Sequence, residues 1–253
     1  MMLASLLPHE VGTISAAILV GASFLTSALT AAFGIGGGVA MIALMGGLLP
    51  VSALIPVHGV IQLGSNAGRL WVQRRHVGWF AVLPFLAGSV IGALVGTSFV
   101  VRLDDGLLKV LLGLFIMVVT WMKFPALQGG GAGMAAAGGL ITTFMTMFFG
   151  ATGPLTALFF EKLFADRRAY AASHAAAMTA QHSLKVAAFA LAGFAFAQWL
   201  PLMAMMIASG LAGTMAGSVL LLKIPETGFR KVFRWLLTLL ALDMIRRGIL
   251  LLA

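Results

Sequence analysis

Four glycines in five positions, Gly34, Gly36, Gly37 and Gly38, interrupt a stretch of chain that is otherwise apolar. Each glycine weakens a helix by roughly 1 kcal/mol relative to alanine, so the spacing predicts a break and a restart. A helix that restarts inside a protein presents unpaired N–H groups and the positive end of its dipole. That is an anion cradle that needs no charged side chain. The motif returns: Phe33-Gly-Ile-Gly-Gly-Gly38 is echoed by Phe149-Gly-Ala-Thr-Gly-Pro154. Pro154 falls where a first-turn proline is favoured, and Thr152 and Gly153 take the place of the first copy's glycines. Small residues also let helices pack closely; recurrence in both halves favours a site.

Two polar stripes accompany these motifs. His58, Gln62, Ser65 and Arg69 stand at i, i+4, i+7 and i+11, with Asn66 alongside. His174, Gln181, His182 and Lys185 form the second stripe. Such spacing places side chains on one helical face. Polar groups within membrane spans are costly and normally face a cavity or the bundle interior. The competing readings are hydrogen-bonded packing for the histidines and snorkelling to headgroups for Arg69 and Lys185. Asn66, His58, His174, Gln181 and His182 are candidate donors, with Arg69 or Lys185 as the neutralising charge.

The acidic residues are Glu10, Asp104, Asp105, Glu161, Asp166, Glu226 and Asp243, mostly at loops or segment ends. The stripes therefore hold cations and neutral donors without a carboxylate. This lining suits a small anion and is poor for metal cations. A coupled proton would fall to His58, His174 or His182, because histidine titrates nearest neutral pH. No acid is placed to orient a Ser–His pair, and His and carboxylates do not converge as a metal site requires. With no Cys, thiolate chemistry is excluded. No cofactor is expected.

These side chains must be positioned by membrane helices. Of 253 residues, 61% are apolar and 9% charged, against about 25% charged in soluble domains. Fifty-eight residues between Glu10 and Arg69 carry no charge, and Phe124–Phe160 and Val186–Leu222 are uncharged runs of 37 each. A helical crossing takes about 20 apolar residues, and barrel strands would alternate every second residue. The fold expected is therefore all-α and polytopic. Ten apolar segments are expected, at about 13–32, 36–49, 51–73, 79–101, 107–123, 131–148, 151–164, 169–193, 197–222 and 229–252. The second and seventh are too short for the bilayer core and read as half-helices. Met1–Gly12 lacks the basic region of a secretory signal.

The chain also repeats itself. At an offset of 116, His58 falls on His174 and Arg69 on Lys185. At an offset of 121, Ala87–Gly96 falls on Ala208–Gly217, Arg102 on Lys223, Asp105 on Glu226 and Lys109 on Arg230. The chain divides into a first repeat, 1–124, a glycine-rich linker, 125–133, and a second repeat, 134–253. If all ten segments cross, with the N-terminus outside, Arg74, Arg75, Lys123, Lys162, Arg167, Arg168, Lys223, Arg230 and Lys231 lie inside. This satisfies the positive-inside rule, with Arg246 and Arg247 as the exception. Five crossings per half then make the repeats inverted, as in secondary transporters; re-entrant short segments would make them parallel. The net charge of +9 reflects these span ends, with no domain left to bind nucleic acid.

Phe33-Gly-Ile-Gly-Gly-Gly-Val-Ala-Met-Ile42, followed by a helix bearing His and Asn and then by a second copy, resembles the sulfite exporter TauE/SafE family of bacterial membrane transporters. The resemblance spans essentially the whole chain. It implies a multi-pass protein of the inner membrane that moves sulfite, sulfonates or related organosulfur anions. It implies a transporter rather than an enzyme, with lipid and a small anion as partners, and it is compatible with a homo-oligomer. The rival classes are a membrane-embedded enzyme and an accessory subunit that binds a partner through its small-residue faces.

Overall fold

The computed structural model describes residues 7–33, 36–100, 104–122, 130–161, 163–220 and 226–253. Gly34, Arg102, Lys123, Lys162, Lys223 and most of the 125–133 linker lie outside the described residues, as does the side chain of Arg230. Ten α-helices occur among the described residues: α1 Thr13–Phe33, α2 Gly37–Leu48, α3 Val51–Gln73, α4 Trp79–Val100, α5 Asp105–Trp121, α6 Ala132–Phe149, α7 Gly153–Glu161, α8 Arg167–Leu191, α9 Leu200–Leu220 and α10 Glu226–Leu252. They contain no strand.

Four helices are long and apolar enough to cross a membrane: Thr13–Ala31, Trp79–Phe99, Ala132–Phe149 and Phe196–Gly217, the last including the 3-10 turn ahead of α9. Their outer faces carry Ile14, Leu83, Ile91, Leu94, Ile141 and Leu211 exposed, a pattern that only lipid tolerates. The chain is thus a multi-pass helical membrane protein. By contrast α2, with 12 residues, and α7, with 9, are roughly 18 and 14 Å long at 1.5 Å per residue. Neither reaches across a core of about 30 Å by itself.

Helix ends follow local chemistry. Asp104 caps α5, its Oδ1 accepting from the N–H groups of Gly106 and Leu107 at 2.7 and 3.2 Å. Asp166 caps α8, accepting from Ala169 N–H at 2.9 Å. Beyond α3, Arg74 donates to the Trp71 carbonyl at 2.6 Å and lies over the indole ring; both residues are suited to a membrane–water interface.

The helices form two compact units, each drawing on both halves of the chain. One comprises residues 1–58, 103–123 and 195–253; the other comprises 59–102 and 124–194. The chain passes from one unit to the other inside α3, between His58 and Gly59, just after Pro56. In the first unit α1 packs along α9 and α5 along α10, with α2 against α1, α5 and α10. In the second, α4 packs along α6, and α8 lies against α4, α6 and α7.

The two longest pairings, α1 with α9 and α4 with α6, each join a helix from the first half of the chain to one from the second. Glycine makes both contacts. A methyl group at Gly92 on α4 would collide with the Leu140 carbonyl of α6, and one at Gly213 on α9 with the Phe24 carbonyl of α1. Gly92 and Gly213 are partners at the offset of 121. In the second unit, Phe85 and Phe160 meet edge-on, 5.3 Å between centroids, in a fully buried cluster with Ala81, Val82, Ala135, Ala176 and Ala177. This cluster anchors the far end of α7 and so fixes where its first turn can sit.

Candidate functional site

The second unit holds a complete helix interruption. α6 ends at Gly150, whose φ of +68° is a backbone conformation that glycine adopts without a Cβ penalty. Its N–H closes the last turn of α6 on the Thr146 carbonyl at 2.9 Å, and its carbonyl accepts from Thr146 Oγ1 at 3.0 Å. The chain then restarts as α7. The first intrahelical bond of α7 is Thr156 N–H to the Thr152 carbonyl, 2.9 Å. The N–H groups of Gly153 and Leu155 precede it, and Pro154 has none.

Three side chains of one α8 face grip this interruption, in the order in which the chain runs through it. Lys185 Nζ donates to the Gly150 carbonyl at 2.9 Å. Gln181 Oε1 lies 3.2 Å from Thr152 Oγ1, which also lies 3.2 Å from the Thr142 carbonyl. His174 Nε2 is 3.2 Å from the Gly153 carbonyl; a carbonyl only accepts, so the ring proton sits on Nε2. Gln181 is itself held, donating through Nε2 to Thr142 Oγ1 at 3.0 Å and Thr143 Oγ1 at 3.1 Å. Thr142, Thr143, Thr152, Gln181 and Lys185 are fully buried, and His182, on the same helix, nearly so.

Lys185 is the unusual member. Its side chain is 0% exposed, so it does not snorkel. It reaches Gly150 by passing Gly59 of α3, where a Cβ would stand 2.9 Å from Lys185 Cε. Among the described residues no carboxylate pairs with it. An ammonium offers three N–H donors, and Gly150 takes one. A buried ammonium without a counter-charge costs several kcal/mol, so the charged form calls for an anion beside it and the neutral amine does not.

The first unit carries the related arrangement. Gly36, at φ +105°, is the N-cap of α2. Gly37 is pressed against the Thr26 carbonyl and Thr30 Oγ1 of α1. His58 Nε2 lies 3.0 Å from the Gly38 carbonyl, as His174 lies by Gly153. Each histidine thus ties down the first turn of a short helix, His58 that of α2 and His174 that of α7. His58 is fully buried.

A third group lies at the other end of the α8 stripe in the second unit. Asn66 is buried, donating to the Gln62 carbonyl at 2.7 Å. It accepts from Arg69 Nη2. Arg69 is half-buried and within electrostatic reach of Tyr170 and His174. Tyr170, the single tyrosine of the chain, stacks on His174 with centroids 6.0 Å apart. At the mouth of α8, hydrogen bonds from the N–H groups of Ala169 and Arg168 hold the Asp166 carboxyl below the usual aspartate range.

The second unit therefore gathers Thr152, Gly153, His174, Gln181 and Lys185 around one interruption, with Asn66 and Arg69 near the His174 end. Gly36, Gly37, Gly38 and His58 meet in the first unit, and Gly34 lies outside the described residues. Sequence reasoning passed over Thr142, Thr143, Thr146 and Thr156. Their signal was present: hydroxyls within an uncharged run whose other polar side chains are Gln128 and Thr152. Thr156 is fully buried, and its Oγ1 has no hydrogen-bond partner among the described residues. Gly59 was also passed over, because a lone glycine says nothing about what passes beside it.

Residues 19–244 match the family model described as Sulfite exporter TauE/SafE, which takes in both interruptions and both stripes. No curated protein and no solved structure matches the chain.

Proposed function

The chain belongs to the sulfite exporter TauE/SafE family, a family of transporters rather than enzymes, and from that premise we propose that it moves a small oxyanion by alternating access. The substrate class is sulfite, a sulfonate or a related organosulfur anion, and the membrane is the bacterial inner membrane. The single observation that carries this reading is Lys185: a fully buried amine against a backbone carbonyl, with no carboxylate beside it among the described residues. A cation substrate would be repelled there and a neutral one would leave the charge uncompensated.

The anion is held at the α6–α7 interruption by Lys185, by the first-turn N–H groups of α7 and by the hydroxyls of Thr152 and Thr156. Gln181 and His174 position the backbone. The α2 start, with Gly34, Gly36, Gly37, Gly38 and His58, is the corresponding cradle of the first repeat; Asn66, Arg69 and His182 line the approach. The halves 1–124 and 134–253, joined by 125–133, are inverted copies. The exchanged pairing of α1 with α9 and α4 with α6 supports this, because copy-related helices then make copy-related contacts. No P-loop motif occurs in the chain, so an ion or potential gradient drives transport.

The test is purified protein in liposomes and uptake of radiolabelled sulfite. Uptake above empty vesicles, competed by sulfonates and indifferent to choline, is the expected result. Vesicles no more permeable than protein-free controls, with correctly folded protein, would overturn the reading.

A further inference from the structure

Among the described residues of its unit, the elements packed against Lys185 offer no group that balances a charge. α4 and α6 contain no titratable residue. α3 contributes Gly59 at the contact; His58 precedes it in the chain, and Arg69 follows ten residues on, about 15 Å along the helix. α7 carries only Glu161, at its far end. On α8 itself stand His182, one turn away, and then His174, Tyr170, Arg168 and Arg167. None of the groups on α8 is a carboxylate. The Gly150 carbonyl takes one N–H, a bond that a neutral amine makes as well as an ammonium does.

A neutral amine is therefore the form that suits the empty, buried site, and an ammonium is the form that suits the occupied one. We propose that Lys185 carries the coupling proton, so that each anion is accompanied by one proton that binds and leaves with it. This rests on the anion-transport reading above and adds the coupling ion to it. The step balances simply. On the loading side the nitrogen lone pair of Lys185 takes a proton from water as the anion arrives, forming a third N–H bond. On the releasing side that bond breaks, and the proton returns to water as the anion departs. The histidines are less suited to the task. His174 has its Nε2 proton committed to the Gly153 carbonyl and His58 to that of Gly38.

The experiment mixes pH-matched sodium sulfite with the detergent-purified, full-length protein in weak buffer at about pH 9, with an indicator dye. An ordinary exposed lysine is already charged at about pH 9 and takes up nothing. At this pH sulfite is the dianion. The expected result is uptake of about one proton per sulfite bound, lost in both Lys185→Arg, whose guanidinium is permanently charged, and Lys185→Met. Sulfite bound or transported by the wild type without proton uptake would overturn the proposal while leaving the transport reading intact. Proton uptake that survives in either Lys185 variant would overturn it too. Absence of both sulfite binding and sulfite transport would sink the transport reading itself.

Discussion

Lys185 and Gly150 are thirty-five residues apart and meet where α6 stops, the amine donating to the carbonyl over 2.9 Å. That bond joins the two features of the second repeat, its cation stripe and its glycine break. It also sets the height of the positive charge along α8: six residues, or about 9 Å, from the end of the helix at Leu191. A lysine at that depth without a counter-charge is an unfavourable choice for stability alone. On the proposed reading, an anionic ligand supplies the missing charge.

The turn that presents the Gly150 carbonyl depends on a positive φ. Gly150→Ala should lose about 1 kcal/mol or more in stability and most of the sulfite affinity, because the carbonyl is redirected. Gly131 also has a positive φ, +101°, and has open space around it. Gly131→Ala is the control: a similar loss in thermal melting with transport retained. Equal loss of transport in both would assign the effect to folding.

Gly59→Ala acts on Lys185 alone. The added methyl would stand 2.9 Å from Lys185 Cε, which is the end of a flexible side chain and can move. The expected outcome is a near-normal melting temperature with KM for sulfite raised several-fold. An unchanged KM would mean that the position of the amine does not matter.

The histidines are expected to act as tethers of the half-helices. His174→Phe removes the second donor to the Gly153 carbonyl and His58→Phe the second donor to that of Gly38; each carbonyl keeps its intrahelical bond, so the loss should be about 1 kcal/mol. Gln in either place restores a donor, so thermal stability should recover in the Gln variants, and the pH profile of transport should stay that of the wild type. A displaced pH profile in His174→Gln or His58→Gln would return the proton to histidine.

Much of this was legible before any coordinates. The ten segments, the two breaks and the two stripes follow from charge-free run lengths, glycine spacing and helical periodicity, and the helices begin and end within a few residues of those expectations. Helix partners did not follow. In lipid an apolar face has no preferred direction, so hydropathy says that a helix crosses and not which neighbour it meets. Gly92 and Gly213 announce close approach without naming Leu140 or Phe24. The role of Gln181 was hidden similarly, since its partners Thr142 and Thr143 lie on another helix and look like packing residues. What the stripe touches is also new: Lys185 and His174 each reach a backbone carbonyl, which no side-chain pattern can foretell.

Outside the membrane, Asp166 gives a pH signature of its own. The N–H groups of Ala169 and then Arg168 stabilise its ionised form and hold its carboxyl below the ordinary value of 3.8. A depressed carboxylate contributes stability that is present above its unfolded value and is lost as pH falls through its folded one. In acid melts the stability gap between wild type and Asp166→Asn should therefore close below about pH 4. A gap constant through that range would show that the cap does not depend on the charge.

The most direct measurement is the melting temperature of wild type and Lys185→Met, each with and without sulfite. Ligand at a hundred times Kd adds about 2.7 kcal/mol to the stability of a protein that binds it. The wild type should melt higher with sulfite. Lys185→Met should melt at least as high as the wild type without ligand, having lost an uncompensated buried amine, and should not respond to sulfite. A variant stabilised by sulfite as strongly as the wild type would contradict the account, because the anion would then be held without Lys185.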